Sequence, residues 1–421
     1  MAIKDRPAIK RILSANCPLL AFWFPWYWRT SDTSCLRKVA GRWLWRNESG
    51  FIGKSVLLGK TIVWPVVAFF QLVVSWCVHS KDIKRELGCS RLSQLGNLIW
   101  LTFWRGFPAQ EFYGQRMYLD KLSEVIDDFL SSTEVSLLNL AMSSGKDAEI
   151  INNKGRFEIE ATRLGLPVIP TICTYDNGGL SGPEEEVALP RTDLYLKPVN
   201  GLQGRGIERW DYDPVRGNWS SGSVVKDGWE LKAHFEASSG EETCIIQEAA
   251  FNHPHLETLS PGGLITFRVM SVWDGNGEPE VMGSHIVLPT GKTHANHGVY
   301  GGMVAQMNTE DGMLMAAFKR LPEFRKLSHH PDTGGQIEGF YFSDWPELKA
   351  LAISAHKCFP HMFTIGWDLA FTRKGPEIVE GNSQWGSMPG FYPGKTSYVT
   401  KYLEALRFAS KEESAFGALI K

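Results

Sequence analysis

Two short apolar segments near the end of the chain constrain its fold most strongly. They read GWDLAF (366–371) and EIVEGN (377–382), and the five residues Thr372-Arg373-Lys374-Gly375-Pro376 lie between them. Apolar runs that flank a Gly-Pro turn predict a β-hairpin. The sequence therefore predicts antiparallel β-structure close to its C-terminal end.

Acidic and amide residues interrupt this apolar hairpin. Side chains two residues apart in a strand point to the same face, so Glu380 and Asn382 share a face, and the hairpin can bring Asp368 beside them. Two carboxylates and an amide oxygen form a hard, oxygen-only ligand set that suits Mg²⁺ bound together with nucleotide phosphates. The alternative is a solvated polar face on an edge strand. The apolar neighbours favour the metal site, since acids inside apolar strands are seldom plain surface.

A lysine and a glycine-rich loop form a second candidate site upstream. In DLYLKPVNGLQGRGI (193–207), Lys197 ends an apolar strand and is followed by Gly201, Gly204 and Gly206. A strand lysine can hold a phosphate as a point charge, and a glycine-rich loop lets backbone N–H groups approach phosphates closely. A tight hairpin would explain the glycines equally well. The loop is not a Walker A motif, which requires G-x-x-x-x-G-K-[ST].

The chain from residue 116 onward has the pattern of an α+β protein. Apolar spacing of three and four predicts helices at Tyr118–Leu130, Lys154–Leu164 and Trp345–Cys358. Short β-type runs bounded by turn residues predict strands at Leu194–Val199, Thr243–Gln247, Ile265–Val272, Glu280–Val287, Ile365–Phe371 and Glu377–Glu380. This order favours an α+β domain with antiparallel sheets.

The first quarter of the chain differs from the rest in charge and aromatic content. Residues 1–105 hold 16 Lys+Arg against 5 Asp+Glu, which leaves 28 and 41 for the remainder, so the two parts stand near +11 and −13. Nine of the 16 Trp also lie in this first part. We therefore expect a basic, Trp-rich, mainly helical region over residues 1–115, followed by a domain of different construction.

Three apolar-aromatic runs lie in this region, at Cys17–Trp28, Thr61–Ser80 and Leu95–Trp104. A bilayer core requires about 20 apolar residues in a helix, so only the middle run is long enough to span one. Trp and Tyr beside Lys and Arg are favoured at a membrane interface, which indicates contact with an anionic membrane surface. The alternative is a helical domain whose aromatic faces are buried and never meet lipid.

The seven cysteines form no C-x-x-C pair, so the sequence indicates neither a zinc ribbon nor a disulfide framework. The charged N-terminus lacks a small-residue cleavage site after its first apolar run, and no cleaved signal peptide is expected. These features predict a cytoplasmic protein, associated with the inner face of the membrane if the aromatic region meets lipid. No nucleic-acid partner is expected.

Five segments, in order along the chain, together resemble the ATP-grasp superfamily. Lys154, in NKGRFEIEATRLGLPVIP, resembles the lysine that opens a small-domain helix in ATP-grasp ligases, and Lys197 looks like their second ATP lysine. The loop 201–206 is similar to their phosphate lid. The remaining matches are the hinge whose carbonyl and N–H contact adenine, at Gln247, Glu248, Ala249 and Ala250, and the metal triad, at Asp368, Glu380 and Asn382. D-alanine–D-alanine ligases share this ordered set.

A closer resemblance is to the sugar-transfer-associated ATP-grasp branch, which is related to α-L-glutamate ligases. It rests on QEAAFNHPHLETLSPGGLITFRV (247–269) and on the Gly-rich segment 291–302. The resemblance implies that Arg268 acts on the γ-phosphate or the acyl phosphate, a role that suits a planar, permanently charged guanidinium. A surface ion pair is the alternative. For the ribose contact, His255 and Glu257 remain alternatives.

The resemblance implies an ATP-dependent ligase. A substrate carboxylate attacks the γ-phosphorus of ATP, and Lys154, Lys197, Arg268 and Mg²⁺ (or Mn²⁺ in its place) offset the negative charge. An amine, or less often another nucleophile, then attacks the acyl phosphate. The branch implies a place in cell-envelope, polysaccharide or secondary-metabolite biosynthesis. Two alternatives stay open: a phosphotransferase of this fold acting on a sugar or small alcohol, and a non-catalytic, membrane-bound nucleotide-binding scaffold.

The resemblance also predicts the domain boundaries. The catalytic domain is expected over residues 116–405, with an N-terminal part at 116–192, a nucleotide-lid subdomain at 193–260 and a metal-binding subdomain at 261–405. A further metal site at His285, His294 and His297 has only their H-x8-H-x2-H spacing in its favour.

Overall fold

Two antiparallel sheets, each with seven strands among the described residues, follow a set of N-terminal helices along the chain. The structure is a computed structural model that describes residues 20–21, 24–118, 126–143, 145–181, 188–199, 206–240, 242–273, 278–291, 302–319, 325–385 and 398–411. This α+β architecture confirms the predicted fold class.

Helices account for most of the first 163 residues. They are α1 (Asp32–Asn47), α2 (Gly50–Leu87), α3 (Arg91–Ile99), α4 (Ala109–Gly114), α5 (Ser132–Met142), α6 (Gly145–Ile151) and α7 (Lys154–Arg163). The predicted apolar run 61–80 lies inside α2, which has 38 residues and continues through Pro65. The predicted helix at 118–130 falls mostly outside the described residues, and its described end is a single 3-10 turn, Ile126–Asp128.

A buried ion pair joins α1 to α5. The Arg37 guanidinium donates through Nε to the Glu134 carboxylate, and the residues are only 5% and 1% exposed. Arg37 Nη1 also donates to the Arg105 carbonyl at 2.5 Å. Glu134 completes a capping box at the start of α5, where it accepts from the Ser131 N–H at 2.7 Å. The N-terminal helices are therefore fixed to the rest of the chain by charge as well as by apolar contact.

The first sheet has the strand order β2-β1-β7-β3-β4-β5-β6. Its strands are β1 (Thr171–Asp176), β2 (Gly179–Ser181), β3 (Leu194–Pro198), β4 (Glu208–Asp213), β5 (Asn218–Ser221), β6 (Val224–Lys226) and β7 (Cys244–Glu248). Helix α8 (Gly228–Ser238) packs Leu231 and Phe235 into the core of this sheet. A capping box at Asp227 and Glu230 fixes the start of α8.

The second sheet has the order β12-β11-β10-β9-β8-β13-β14. Its strands are β8 (Thr266–Trp273), β9 (Pro279–Leu288), β10 (Met303–Met307), β11 (Leu314–Lys319), β12 (Lys326–Leu327), β13 (Thr364–Thr372) and β14 (Gly375–Asn382). Helix α9 (Trp345–Lys357) covers one face, where Phe267, Val269 and Leu369 are buried. The residues between them on each strand point to the opposite face, which is where the candidate site lies.

The six predicted strands are all present, with ends within two residues of the prediction. The predicted hairpin is β13–β14, but its connection is shorter than expected, because Thr372 already pairs with Gly375. A last helix, α10 (Tyr398–Lys411), packs on α1, and its Tyr402 shares one apolar core with Leu36 and with Met270 of β8. The predicted domain boundaries stay predictions.

Candidate functional site

A row of polar side chains crosses five adjacent strands of the second sheet. Glu380 of β14 is the direct partner of Asp368 on β13, and Asp368 is the partner of Arg268 on β8. Arg268 in turn pairs with His285 of β9, which pairs with Gln306 of β10. Directly paired residues share a face of the sheet, so the five side chains project together on the face opposite α9.

Hydrogen bonds order the acidic end of this row. The Arg268 guanidinium forms a bidentate ion pair with the Asp368 carboxylate. Its Nη2 donates to Oδ2 at 2.8 Å, and its Nε donates to Oδ1. Asn382 Nδ2 donates to the Gly366 carbonyl at 3.3 Å and lies 3.5 Å from Glu380 Oε1. The structure thus brings Asp368, Glu380 and Asn382 together, as the hairpin predicted, and it places Arg268 against the same carboxylates.

The two carboxylates are in unequal electrostatic environments. Burial and the neighbouring charge of Glu380 together raise the pKa of Asp368 to about 6, against the opposing charge of Arg268. Burial alone would also raise the pKa of Glu380, but the charges of Lys154 and Arg268 lower it below its usual value. Two acids held side by side out of water favour a bound cation, because a divalent ion would offset their repulsion. The donor set therefore fits Mg²⁺.

The sequence around residue 154 explains why a lysine lies beside these acids. Asn153 caps α7 by accepting from the Arg156 N–H at 3.0 Å, so the helix begins at Lys154. The Lys154 ammonium lies 3.6 Å from Glu380 Oε2. A helix that begins at this point directs its first side chain toward the row of acids.

The end of α7 is fastened to β14. Gly165 adopts φ +73° after the helix, and the Leu166 N–H donates back to the Ala161 carbonyl at 2.9 Å, as in a Schellman motif. The chain then runs beside β14, where the Pro167 carbonyl accepts from the Ile378 N–H at 2.7 Å. The Gly-Leu-Pro sequence after the helix thus sets the position of Lys154 over the hairpin.

Lys197 reaches the same site from the first sheet. Its ammonium on β3 donates to Gln247 Oε1 on β7 at 2.7 Å. Burial and the charge of Lys154 together lower the pKa of Lys197 to about 8, against the opposing charges of Glu380 and Glu158. The two lysines are close enough to repel each other, and a polyanion such as a nucleotide phosphate would relieve that repulsion.

The pKa of Lys197 predicts a pH dependence for ATP binding. Below pH about 8 the ammonium is charged and stabilises the phosphates. Above it, the group must first take up a proton, so affinity should fall about tenfold per pH unit. Calorimetry from pH 7 to 9.5 measures this directly. Lys197→Met should bind ATP about tenfold to a hundredfold more weakly at pH 7 and lose the dependence.

The control for this prediction is Lys374→Met, which removes an exposed lysine on the β13–β14 turn. Its ATP affinity should match the wild type at every pH. Unchanged affinity in Lys197→Met would show that this ammonium does not bind the nucleotide.

The predicted phosphate loop is described only at its end. Gly206 adopts φ +73°, and a Cβ at this position would lie 2.8 Å from Pro198 Cγ, so the turn requires glycine on both counts. Gly201 and Gly204 lie outside the described residues. Their role as a phosphate lid stays a prediction.

The predicted adenine hinge lies at the end of β7. The Gln247 side chain donates to the Ile169 carbonyl at 3.2 Å as well as accepting from Lys197, so it ties the hinge to the phosphate lysine. The Ala249 N–H already donates to the Asp193 carbonyl at 2.8 Å. Glu248 and Ala250 lie on either side of this bond. Their contact with adenine stays a prediction.

Both candidates for the ribose contact pair with other residues in this structure. His255 Nδ1 lies 2.8 Å from Asp344 Oδ2, and the Arg373 guanidinium donates to Glu257 Oε1 at 3.2 Å. All four groups are at the surface beyond the end of β13. The choice between His255 and Glu257 stays open.

Of the three histidines with metal-like spacing, only His285 is described. It lies in the polar row beside Arg268, and burial together with the charge of that arginine lowers the pKa of His285 to about 3. The imidazole is therefore neutral at physiological pH. His294 and His297 lie outside the described residues.

The sequence reasoning missed two members of the site. Gln306 lies on β10, a strand that the sequence pattern did not predict. Glu158 of α7 accepts from both the N–H and the hydroxyl of Thr171, and it faces Lys197. Its position four residues after Lys154, on the same face of a helix, was the signal that could have identified it.

The sequence matches the family model described as sugar-transfer associated ATP-grasp over residues 136–395, which is more than half of the chain. No curated protein sequence matches it. Solved structures with which it aligns include the Bacillus anthracis D-alanine–D-alanine ligase in complex with ATP, at 10% identity and a TM-score of 0.34, covering 63% of this chain and 67% of that one.

Two further structures align over a smaller share of their own length. The VanG D-Ala:D-Ser ligase from Enterococcus faecalis is 14% identical with a TM-score of 0.36, and the match covers 63% of this chain and 64% of that one. The Campylobacter jejuni biotin carboxylase is 13% identical with a TM-score of 0.36, and the match covers 75% of this chain and 58% of that one. The chain thus spans less than two thirds of either protein.

The two antiparallel sheets and the family match define an ATP-grasp fold. Within that class, the chain belongs to the sugar-transfer associated ATP-grasp family.

Proposed function

We propose that this protein is an ATP-dependent ligase that activates a small-molecule carboxylate and joins it to an amine. The observation that carries the proposal is the convergence of two sheets on one charged site. Asp368, Glu380 and Arg268 come from the second sheet, Lys197 comes from the first, and Lys154 comes from the helix between them. Three cations and two acids in a partly buried site suit phosphoryl transfer, in which charge stabilisation supplies most of the catalysis.

In this proposal the lysines and the hinge bind ATP. Lys197 and Lys154 face the phosphates, because their mutual repulsion marks a place for a polyanion. Gly206 and the loop before it cover the phosphates, and the segment 247–250 receives the adenine. Gln247 connects the two ends of the nucleotide site through its bond to Lys197.

Asp368, Glu380 and Asn382 would hold the metal ion, Mg²⁺ or Mn²⁺, which supplies positive charge to the phosphate oxygens when bound. Arg268 is already aligned on Asp368, at the middle of the row. From there its guanidinium can stabilise charge on the γ-phosphoryl group as the substrate carboxylate attacks it. Neutral His285 then lies next along the row, on the side away from the acids.

Analysis of the products separates this proposal from a phosphotransferase on the same fold. The purified protein would be incubated with ATP, Mg²⁺ and pools of carboxylic acids and amines. A ligase forms ADP, inorganic phosphate and an amide in equal amounts. A phosphotransferase forms ADP and a phosphorylated acceptor without free phosphate. That result would contradict the ligase proposal and identify the protein as a phosphotransferase. The Glu380→Ala protein serves as the inactive control, which excludes a contaminating ATPase.

A further inference from the structure

Helix α2 lies against the protein along almost its whole length. Its buried positions recur every three to five residues from Gly53 to Ile83. Three of them, Leu57, Leu72 and Ile83, belong to the core formed with α1, α4 and α5. Trp64 packs edge-on against Phe103 at a ring distance of 6.0 Å. One face of α2 therefore packs against the rest of the molecule over about 45 Å, at 1.5 Å per residue.

The opposite face of α2 is apolar and exposed. From Phe51 to Val78, about 40 Å of helix, the charged residues are Lys54 and Lys60, and both are half-buried. The large apolar side chains more than 40% exposed in this interval are Phe51, Ile52, Val56, Leu58, Ile62, Val63, Val66, Phe69, Phe70, Val74 and Val78. A contiguous apolar face of this length exceeds the patches that soluble monomers normally present to water.

The next helix adds to this exposed apolar surface. The Trp76 indole N–H of α2 donates to the Arg91 carbonyl at 2.9 Å, at the start of α3. On α3 and the turn after it, Leu92 is 77% exposed, Ile99 is 41% exposed and Trp104 is 51% exposed. The helical hairpin α2–α3 therefore exposes apolar side chains on both of its arms.

Basic residues lie on both sides of the apolar interval along the chain. Exposed Arg42 and Arg46 precede it on α1, and exposed Lys81 and Lys84 follow it on α2. Lys54 extends over the Trp45 ring, with Nζ 5.3 Å from its centroid, and so leaves the apolar face clear. Two copies of this surface would bring like charges together. An anionic lipid layer offers apolar chains to the face and opposite charge to its rim.

We propose that α2 lies in the plane of an anionic membrane, with its exposed face immersed in one leaflet, and docks the protein on that surface. By length and composition α2 could also cross a bilayer. Crossing would require α2 to leave the protein core, against which its buried positions between Gly53 and Ile83 pack. The 38-residue helix is also about 57 Å long, against a hydrocarbon thickness of about 30 Å. The in-plane arrangement is independent of the reaction proposed above.

Vesicle sedimentation with a matched pair of variants tests the docking surface. The full chain should sediment with vesicles of phosphatidylcholine and phosphatidylserine and bind pure phosphatidylcholine more weakly. Ile62→Asp/Val66→Asp should reduce partitioning into the anionic vesicles at least tenfold. The control, Ile159→Asp/Val215→Asp, alters two apolar residues that are 73% and 93% exposed elsewhere on the surface, and it should bind like the wild type.

Three outcomes of this experiment would overturn the proposal, and the first two concern the assembly state of the protein. One is wild-type protein that remains in the supernatant as a monomer. The other is a stable dimer that ignores vesicles and dissociates in Ile62→Asp/Val66→Asp, which would show that a second copy covers the face. Equal loss of binding in both variant pairs would also contradict it, since the effect would not belong to α2.

Depth measurements distinguish lying in the plane from spanning. Fluorophores would be attached to the introduced cysteine in each of the variants Val56→Cys, Val66→Cys and Val74→Cys. Spin labels at known depths in the vesicle lipid would then quench their fluorescence. An in-plane helix places all three labels at the same shallow depth, within one leaflet. A gradation from one interface through the bilayer centre to the other would show that α2 spans.

Discussion

Replacement of Glu380 or Asp368 by alanine is expected to lower ATP-dependent turnover on the order of a thousandfold. Each substitution removes one of the two carboxylates that the β13–β14 register places side by side. In the proposed site, Mg²⁺ would then lose a ligand, and the charge of the phosphates would no longer be offset. Steady-state ADP formation at saturating Mg²⁺ measures the loss, and thermal unfolding shows whether the fold persists.

The fold should tolerate both substitutions, because the carboxylates lie among charges and not in the apolar core. The matched control is Glu338→Ala, an exposed glutamate that pairs with Lys326 at the far edge of the second sheet. It should retain wild-type activity. Wild-type turnover in either site variant would show that the acids do not bind the catalytic metal.

The largest expected effect on stability comes from Arg37→Ala. This substitution leaves the Glu134 carboxylate, which is 1% exposed, without its cation. Breaking a buried ion pair by removal of one partner costs about 3–5 kcal/mol of unfolding free energy. Chemical denaturation of the full chain, with the slope compared between variants, measures the change.

Arg42→Ala is the control on the same helix. Arg42 is exposed, and its removal should change the free energy of unfolding by less than about 0.5 kcal/mol. If Arg37→Ala were as stable as Arg42→Ala, the Arg37–Glu134 ion pair would contribute nothing to the free energy of unfolding. The expected difference in unfolding free energy between the two variants would show that α1 unfolds together with the rest of the protein.

The acidic end of the site could be predicted from sequence because its geometry is local. A hairpin with a short turn leaves few choices of register, and period-two alternation then fixes which side chains share a face. Asp368 and Glu380 are direct partners for this reason. The helix that begins at Lys154 and its Gly-Leu-Pro exit are also local signals, but the site role of Lys154 was predicted only from the resemblance to ATP-grasp ligases.

The long-range pairings could not be predicted. Nothing near Arg268 in the sequence indicates that it pairs with Asp368, a hundred residues later, because that contact depends on the order of strands in the sheet. Strand β10 carries only five residues and was missed, and with it the position of Gln306. Short strands draw their stability from their neighbours and show little pattern of their own.

In the N-terminal region, the sequence did not distinguish the buried side of a helix from its exposed side. Its composition indicated aromatic helices with either a buried or a lipid-facing surface, and α2 has a buried face and an exposed apolar face on opposite sides. An apolar run of 20 residues without charges carries no information about which side packs on protein. Only the positions of α1, α4 and α5 distinguish the buried side from the exposed one.

The central claim is that this site transfers the γ-phosphoryl group of ATP to a carboxylate, and an isotope experiment tests it most directly. Carboxylic acids that stimulate phosphate release would be labelled with ¹⁸O in both carboxylate oxygens and incubated with the protein, ATP, Mg²⁺ and the amine. Mass spectrometry of the inorganic phosphate then follows the label. We predict one ¹⁸O in each phosphate released, because the acyl phosphate carries a carboxylate oxygen to phosphorus. Stimulated release of phosphate without ¹⁸O would contradict carboxylate activation at this site.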